Sequence, residues 1–195
     1  MPGDARDTGP AEPRPSAPET PEGLLARLAA MGIEARTTRH PPVFTVAESQ
    51  ALRGRLEGAH SKNLFLKPKS GPFLLAVLEE GRQVSVNALG RAAGAGRVGF
   101  ASAEDLRAQL GVEPGSVTPF GLVNAAPGAV RVVFDRHLME GFPLVSFHPL
   151  TNTATTTLPP ADLLRFLRAL GHAPEILDLP GEGHGNPGDG GPGPR

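Results

Sequence analysis

Apolar residues recur at helical spacing in two segments of the chain, residues 21–31 and 160–170. Thr20, which a proline follows, is suited to cap the first helix, because a threonine oxygen accepts from a free backbone N–H. Gly32 and Gly171 follow the last apolar positions, where glycine commonly ends a helix. The pattern therefore predicts one helix near each end of a central region.

Three further segments open on a residue that can cap a helix: Thr45, Asn87 and Ser102. Glu48 follows Thr45 by three positions, which is typical of a capping box. These signals predict helices over residues 45–56, 87–93 and 103–110.

Short alternating or continuous apolar runs, separated by turn residues, lie between the helices. They predict strands over residues 33–39, 62–67, 73–78, 83–86, 98–100, 120–124, 130–134, 144–148 and 153–158. Helices and strands do not alternate strictly, and several strands are joined by tight turns. We therefore predict a mixed α/β (α+β) fold, in which helices surround a mainly antiparallel sheet.

The chain of 195 residues suggests one domain. Residues 1–20 and 180–195 are rich in proline, glycine and charge and have no apolar period. Such segments bury too little apolar surface to offset the entropy of ordering. We expect two disordered tails and a folded domain over residues 21–179.

The amino-acid composition limits which catalytic and metal-binding groups the chain can offer. The chain has no cysteine, and its six histidines form no close ligand pair, so the sequence supports neither a thiolate nucleophile nor a metal site. It has no long apolar run and no signal peptide pattern. We expect a cytoplasmic protein with no membrane segment and no metal. It should be a monomer, since no coiled-coil pattern is present.

Net charge is −1, but cations are concentrated between residues 36 and 69. Seven lie there against two acids: Arg36, Arg39, Arg53, Arg55, Lys62, Lys67 and Lys69. This stretch could form a phosphate-binding face or a solvated face that other segments neutralise. All three lysines of the chain lie within it. Lys62 is the first residue of a predicted apolar strand. A lysine at this position is either a solvated strand end or an active-site group.

Three segments contain more polar residues than a structural core requires: residues 60–63, 115–119 and 146–153. Backbone N–H groups after Gly115 could face an oxyanion, although a connecting loop explains the same residues. His148 could position a substrate, or it could be a satisfied, partly buried histidine.

Four motifs in these segments resemble the YbaK-type aminoacyl-tRNA deacylase family. They are His-Pro-Pro-Val-Phe-Thr at 40–45, Lys-Asn-Leu-Phe-Leu at 62–66, Gly-Ser-Val-Thr-Pro-Phe at 115–120 and Phe-His-Pro-Leu-Thr-Asn-Thr at 147–153. The similarity spans residues 21–178 in the family's order. It is greatest to the freestanding prolyl-tRNA editing proteins that act on alanyl-tRNA(Pro).

The resemblance implies a YbaK-like fold that uses no cofactor. It also implies hydrolysis of the ester that joins a mischarged amino acid to the 3′-terminal adenosine of tRNA. It places catalytic roles on Lys62, Asn63 and His148. Substrate binding falls on Gly115, Ser116, Val117, Thr118, Pro119, Ser146, Pro149, Asn152, His40 and Phe44. The acceptor end would be held by Arg36, Arg39, Arg53, Arg55, Lys67 and Lys69, and a prolyl-tRNA synthetase is a candidate partner. The chain departs from the family at Ser146, where many relatives have asparagine.

Three alternatives remain open at this stage. The mischarged amino acid could be cysteine, serine or threonine instead of alanine. The chain could bind the 3′ end of tRNA without catalysis. Lys62 could form a Schiff base with a carbonyl substrate, although nothing else in the sequence supports such a site.

Overall fold

The computed structural model describes residues 17–42 and 57–180 of the chain. The predicted helix over 45–56 lies outside these residues, as does most of each predicted tail. The described helices are α1 (Pro21–Ala30), α2 (Val86–Ala92), α3 (Ala103–Leu110), α4 (Arg136–Gly141), α5 (Pro160–Ala169) and a 3-10 helix (Pro119–Asn124). Thr20 caps α1 as predicted, accepting from Gly23 N at 3.0 Å. Helix α3 begins after Ser102 as predicted, and Ser102 and Asp105 form a capping box there.

Eight strands form one sheet in the order β1-β7-β6-β2-β3-β5-β8, with β4 also pairing with β2. The strands are β1 (Arg36–Arg39), β2 (Ala59–Pro68), β3 (Phe73–Glu79), β4 (Val98–Phe100), β5 (Val130–Asp135), β6 (Val145–Phe147), β7 (Ala154–Leu158) and β8 (Glu175–Leu177). Four strand pairs are antiparallel and three are parallel among the described residues. The predicted mixed, mainly antiparallel sheet is confirmed.

Two predicted strands are wrong. The segment 83–86 ends at the start of α2, whose cap is Ser85. The helix lets Val86 and Leu89, three residues apart, both pack into one apolar cluster. The segment 120–124 belongs to the 3-10 helix, because the Thr118 side chain accepts from the N–H of Phe120 and proline begins the turn. Alternation alone could not distinguish these short turns from strands.

Apolar side chains form a core on each face of the sheet. On one face, α1, α3, α5 and the 3-10 helix cover a large core that contains Leu24, Phe65 and Phe120. On the other face, α2 covers a smaller core that contains Leu66 and Leu89. Each fully buried large side chain stabilises the fold by about 1.5–3 kcal/mol. Phe65 and Leu66 therefore fix which face each side chain of β2 takes.

The sheet opens beside the middle of β2. β6 pairs with Ala59 and His60, while β4 pairs only from Leu66 onward. Both lie on the edge of β2 that faces away from β3. The two contacts are six residues apart, which corresponds to roughly 20 Å of strand. Residues 61–64 lie in the interval between them, so this interval exposes the polar start of β2 to other segments.

Candidate active site

The opening in the sheet gathers the three polar segments that the sequence singled out. Asn63 Nδ2 donates to the carbonyl of Val117 at 3.0 Å, which ties β2 to the loop before the 3-10 helix. Ser61 Oγ donates to the carbonyl of Ser146 at 3.1 Å, which ties β2 to β6. These two bonds join residues that are 54 and 85 positions apart in the chain.

Asn63 faces the larger core, on the same side of β2 as Phe65. Its Nδ2 also lies 3.3 Å from Ser61 Oγ. Its Oδ1 is buried and has no hydrogen-bond partner within the part of the chain that the structure describes. A buried acceptor left in this way costs about 1–3 kcal/mol, and such atoms often mark a place for a water or a ligand.

The loop of residues 115–119 is shaped by its first and last residues. Gly115 has φ +90°, a conformation that favours glycine. Ser116 is buried and its N–H donates to Glu113 O at 3.0 Å. Thr118 is fully buried and caps the 3-10 helix, while Pro119 is also buried. Val117 is half-buried and holds Asn63, so the loop has a fixed position beside β2.

Lys62 points to the face opposite Asn63. It is half-buried, and its Nζ donates to the carbonyl of Arg82. Arg82 is held in turn by Asp135, at 3.0 Å, and by the carbonyl of Leu179, at 2.8 Å. Burial raises the pKa of Asp135, while the nearby guanidinium of Arg82 acts in the opposite direction. The ammonium is therefore bonded to the backbone of a residue whose own side chain is fixed by an ion pair, and it does not extend into open solvent.

His148 follows β6 directly. Its Nδ1 lies 3.0 Å from the carbonyl of Ala154. Because a carbonyl only accepts, Nδ1 carries the proton and Nε2 keeps its lone pair. Burial lowers the pKa of His148 below its usual 6.5, and nearby His40 adds to this, against the Ala154 bond and Glu80. The imidazole is therefore neutral at pH 7.

Lys62 and His148 lie on the same side of the sheet by strand register. His60 pairs with Ser146 in the parallel contact between β2 and β6. Lys62 and His148 each follow that pair by two residues, and side chains two apart share a face. The structure thus brings the predicted lysine and histidine to one side of the opening, with Asn63 and the Gly115 loop on the other.

Hydroxyl groups line the strand face beside His148. His40 Nε2 lies 2.9 Å from Thr155 Oγ1, and the His40 and His148 ring centroids are 6.4 Å apart. Ser146 is almost fully buried, and its Oγ contacts the Glu57 carbonyl at 3.0 Å and Thr157 Oγ1 at 2.7 Å. Its substrate-binding role stays a prediction. No sequence signal distinguishes Thr155 from the surrounding run of threonines.

The His-Pro turn between β6 and β7 is tightly wound. Pro149 is buried, and the Leu150 N–H donates to the His148 carbonyl at 3.0 Å. Leu150 has φ +63°, and among the described residues it alone adopts a positive φ without being glycine. Strain of this kind is concentrated at functional sites. Asn152 is half-exposed in the same turn. No sequence signal marks Leu150, since leucine is not a typical residue for this conformation.

The predicted tRNA-binding cations fall into two groups. Arg36 and Arg39 are exposed on edge strand β1, beside Glu57 at 3.2 Å and Glu22 at 3.7 Å. Lys67 and Lys69 lie near the far end of β2, three strands away, which is roughly 15 Å across the sheet. Arg53, Arg55 and Phe44 lie outside the described residues. The role of all these cations stays a prediction.

Lys67 is a partly neutralised member of the second group. Its Nζ contacts both carboxylate oxygens of Asp105, at 3.0 and 3.2 Å, and lies 5.4 Å from the Phe73 ring centroid. The Lys69 side chain is exposed, and its backbone N–H donates to the Arg97 carbonyl at 3.4 Å.

Within the described residues, no group of three or more histidine or acidic side chains is placed to hold a metal ion. No described helix has the length and apolar character needed to cross a membrane. The described site offers an ammonium, a neutral imidazole, a carboxamide and backbone N–H groups. Such groups can hold a polar substrate, orient a water and stabilise a developing negative charge.

Comparison with known proteins points to one family. The family model of the aminoacyl-tRNA editing domain matches residues 40–166. Prolyl-tRNA synthetase associated domain-containing protein 1 of Bos taurus is 42% identical over 161 residues, which cover 80% of this chain and 93% of that protein. The prolyl-tRNA editing protein ProX of Acetoanaerobium sticklandii is 30% identical over 159 residues, which cover 81% and 96%.

One solved structure and one larger protein extend the comparison. The crystal structure called "putative trans-editing enzyme for prolyl tRNA synthetase" matches with TM-score 0.62 and 22% identity, covering 80% of this chain and 95% of that one. At this identity the match shows a shared fold. A Schizosaccharomyces pombe protein named as a proline–tRNA ligase is 30% identical over 131 residues, which cover 64% of this chain and 18% of that protein.

Proposed function

The chain belongs to the aminoacyl-tRNA editing domain family, and we propose that it is a trans-editing deacylase that hydrolyses mischarged tRNA(Pro), with Ala-tRNA(Pro) as its substrate. The observation that carries this proposal is the convergence at the opening in the sheet. There the strand of Lys62 and Asn63 meets the Gly115 loop and the strand that His148 follows. The name of the ProX relative supports the prolyl class of tRNA.

The reaction breaks the ester bond between the alanyl carbonyl carbon and the ribose oxygen of the terminal adenosine. A water oxygen attacks that carbon, and the leaving ribose oxygen takes up a proton. Because an aminoacyl ester is already reactive, placement of the water and stabilisation of the oxyanion supply the main acceleration. A strong protein nucleophile is therefore not required.

We assign the roles as follows. The Nε2 lone pair of His148 accepts a hydrogen bond from the water or from the vicinal ribose hydroxyl. The ammonium of Lys62 supplies positive charge to the bound acceptor end. The N–H groups of Val117 and Thr118 are the oxyanion donors, since the N–H of Ser116 is directed to Glu113.

Discrimination would rest on side-chain size. The loop from Gly115 to Pro119 forms one wall of the pocket, and its buried Ser116 and Thr118 leave it little room to move. In the aminoacylation site of a synthetase, one or two methylenes distinguish alanine from proline by only about 1–3 kcal/mol. A second, hydrolytic site therefore adds the missing selectivity. Such a pocket accepts alanine and excludes proline.

Deacylation of charged tRNA tests the proposal. Purified protein is incubated with Ala-tRNA(Pro) and Pro-tRNA(Pro), and loss of each ester is followed over time. We expect rapid loss of the alanyl ester and retention of the prolyl ester. An alanyl ester that remains intact would refute the assignment. Cys-, Ser- and Thr-charged tRNA in parallel reactions test the other amino acids.

A Lys62→Ala variant separates catalysis from binding. We expect activity to fall by about 100-fold or more, the scale of a lost electrostatic contact to the transition state, while the thermal melting temperature changes little. Full activity would remove Lys62 from the mechanism. A wild-type protein that binds tRNA in a salt-dependent manner without turnover would instead be a non-catalytic 3′-end binder.

A prolyl-tRNA synthetase is the partner we propose, because a related domain occurs within the Schizosaccharomyces pombe protein named as a proline–tRNA ligase. Co-purification of the chain with the synthetase of the same cell, with and without tRNA(Pro), measures this association.

A further inference from the structure

A second cleft, of about 260 Å³, adjoins the proposed site. Leu25 and Pro149 form apolar walls, Thr151 and Thr153 contribute hydroxyl groups, and Glu22 and Arg39 provide opposite charges. Its volume lies just below the roughly 300–1,000 Å³ typical of sites for whole small molecules. The cleft is therefore suited to one flat group, such as a nucleobase.

The cleft lies next to the histidine pair along the chain. Arg39 precedes His40, and Pro149 follows His148. The two histidine rings have centroids 6.4 Å apart, and the His40 N–H donates to the Thr153 carbonyl at 2.9 Å. Because neighbouring strand residues point to opposite faces, the cleft opens on the face of the sheet away from the two histidine rings. Residues 148–153 turn at this end of the sheet, so a group joined to the terminal adenosine by one phosphodiester link could reach the cleft around the strand ends.

The two charged side chains in the cleft are spaced to receive a ligand. Arg39 Nη2 lies 3.7 Å from Glu22 Oε1, and the side chains are 86% and 74% exposed. This distance is longer than a hydrogen bond of about 2.7–3.2 Å. Both groups therefore retain capacity to bond to a third molecule that lies between or above them.

This pair matches the pairing edge of cytosine. Cytosine presents an amino donor at N4, which a glutamate can accept, beside two acceptors at N3 and O2, which the fork of an arginine can reach. The apolar walls would contact the faces of the ring. Uracil reverses the pattern, because it has an acceptor at O4 and a donor at N3. All tRNAs end in C-C-A, so the base next to the terminal adenosine is cytosine.

We propose that the Glu22–Arg39 cleft binds the penultimate cytosine of the tRNA acceptor end. This inference rests on the proposed function and adds a subsite to it. The cleft would fix the register of the 3′ end, so that the aminoacyl ester reaches the opening beside Lys62 and His148.

The test uses alanyl minihelices of the tRNA(Pro) acceptor stem that end in C-C-A or in C-U-A. For the wild-type protein we expect kcat/KM to be about tenfold or more greater with C-C-A, as for one good polar base contact. Glu22→Ala and Arg39→Ala should each reduce this ratio toward one. Glu22→Gln should also reduce it, because a glutamine amide can donate to uracil O4. Merely structural damage would lower both rates and leave the ratio intact.

Two charge-matched variants serve as controls. Glu34 and Arg168 are exposed and lie outside the cleft. Glu34→Ala and Arg168→Ala should keep the wild-type ratio.

Equal rates on the two minihelices, or a ratio that the cleft variants leave unchanged, would overturn the cytosine subsite while leaving the deacylase assignment in place. Absence of hydrolysis of every alanyl substrate, including full-length Ala-tRNA(Pro), would overturn the proposed function and the subsite with it.

Discussion

At the scale of the residue, the protonation of His148 gives a measurable consequence. Its Nδ1 proton is committed to Ala154, and burial keeps the remaining nitrogen neutral. The assigned role requires Nε2 to be unprotonated. Activity should therefore be present above the pKa of the folded state and be lost as pH falls through it.

We predict that the acidic limb of the pH–kcat/KM profile lies below pH 6.5, since burial lowers the pKa of His148 from that value. The measurement is the rate of alanyl ester loss from about pH 4.5 to 8, corrected for spontaneous hydrolysis. A His148→Gln variant should be slower and lack this limb. A limb that persists unchanged in the variant would assign it to another group.

The same shift affects stability with a defined sign. Because the pKa of His148 is lower in the folded state, the unfolded chain binds more protons at mildly acidic pH. Its contribution to the free energy of unfolding is complete above pH 6.5 and declines as pH falls through the folded pKa. Burial lowers the pKa of His172 as well, so the two histidines act in the same direction.

At the scale of the element, the loop before the 3-10 helix depends on the conformation of one glycine. Gly115 has φ +90°, and a Cβ placed there would have no heavy atom within 4 Å. Gly115→Ala should cost about 1–2 kcal/mol through backbone strain alone. The strain should also move the loop, and thus lower kcat/KM for the alanyl ester more than the stability loss explains.

Gly128 provides a matched control for this prediction. It has φ +83°, equally open surroundings, and a position in the turn before β5. Gly128→Ala should lower the melting temperature by about as much as Gly115→Ala, a few degrees, but leave deacylation unchanged. Similar kinetic losses in both variants would show that the effect is global and not a property of the loop.

Local sequence signals predicted most helices and strands, because a capping residue or a terminal glycine determines the backbone conformation within one turn. Thr20, Ser102 and Gly111 each mark a helix end that the structure confirms. Strand β8 and helix α4 were not predicted from the sequence. Their positions depend on long-range bonds, such as the ion pair between Arg131 and Glu175, which are 44 residues apart.

The residues of the candidate site could be predicted from the sequence, but their arrangement in space could not. The motifs identified Lys62, Asn63 and the Gly115 loop, and a strand over 62–67 places Lys62 and Asn63 on opposite faces. No pattern indicated that the sheet would open beside them. That opening results from the departure of β6 from β2 and the later arrival of β4. The strained turn at Leu150 depends on tertiary packing, so a sequence offers no local sign of it.

At the scale of the whole molecule, the two groups of cations predict different contributions to tRNA binding. The charge of Lys67 is compensated by Asp105, whose pKa is lowered by a backbone bond from Ser102 and by Lys67 itself. Lys69 is exposed near the same strand end. A lysine already paired with a carboxylate has less charge available for a phosphate.

We therefore expect Lys69→Ala to weaken tRNA(Pro) binding more than Lys67→Ala. Each full phosphate contact contributes about 0.9 to the slope of log K against log salt concentration on duplex. Binding of uncharged tRNA(Pro) measured over a series of salt concentrations gives this slope for each variant, with Arg168→Ala as a surface control. Equal slopes for all four proteins would remove the β2 end from the tRNA contact surface.

The last strand of the domain has a consequence for the order in which the protein becomes competent. β8 pairs with β5, and the Leu179 carbonyl holds Arg82, whose own carbonyl receives the Lys62 ammonium. A polypeptide emerges from the ribosome amino end first, so Lys62 appears long before the residues that fix its neighbourhood. A nascent chain therefore lacks this support for Lys62 until synthesis has passed residue 179, so under the proposed mechanism deacylation begins only late in its biogenesis.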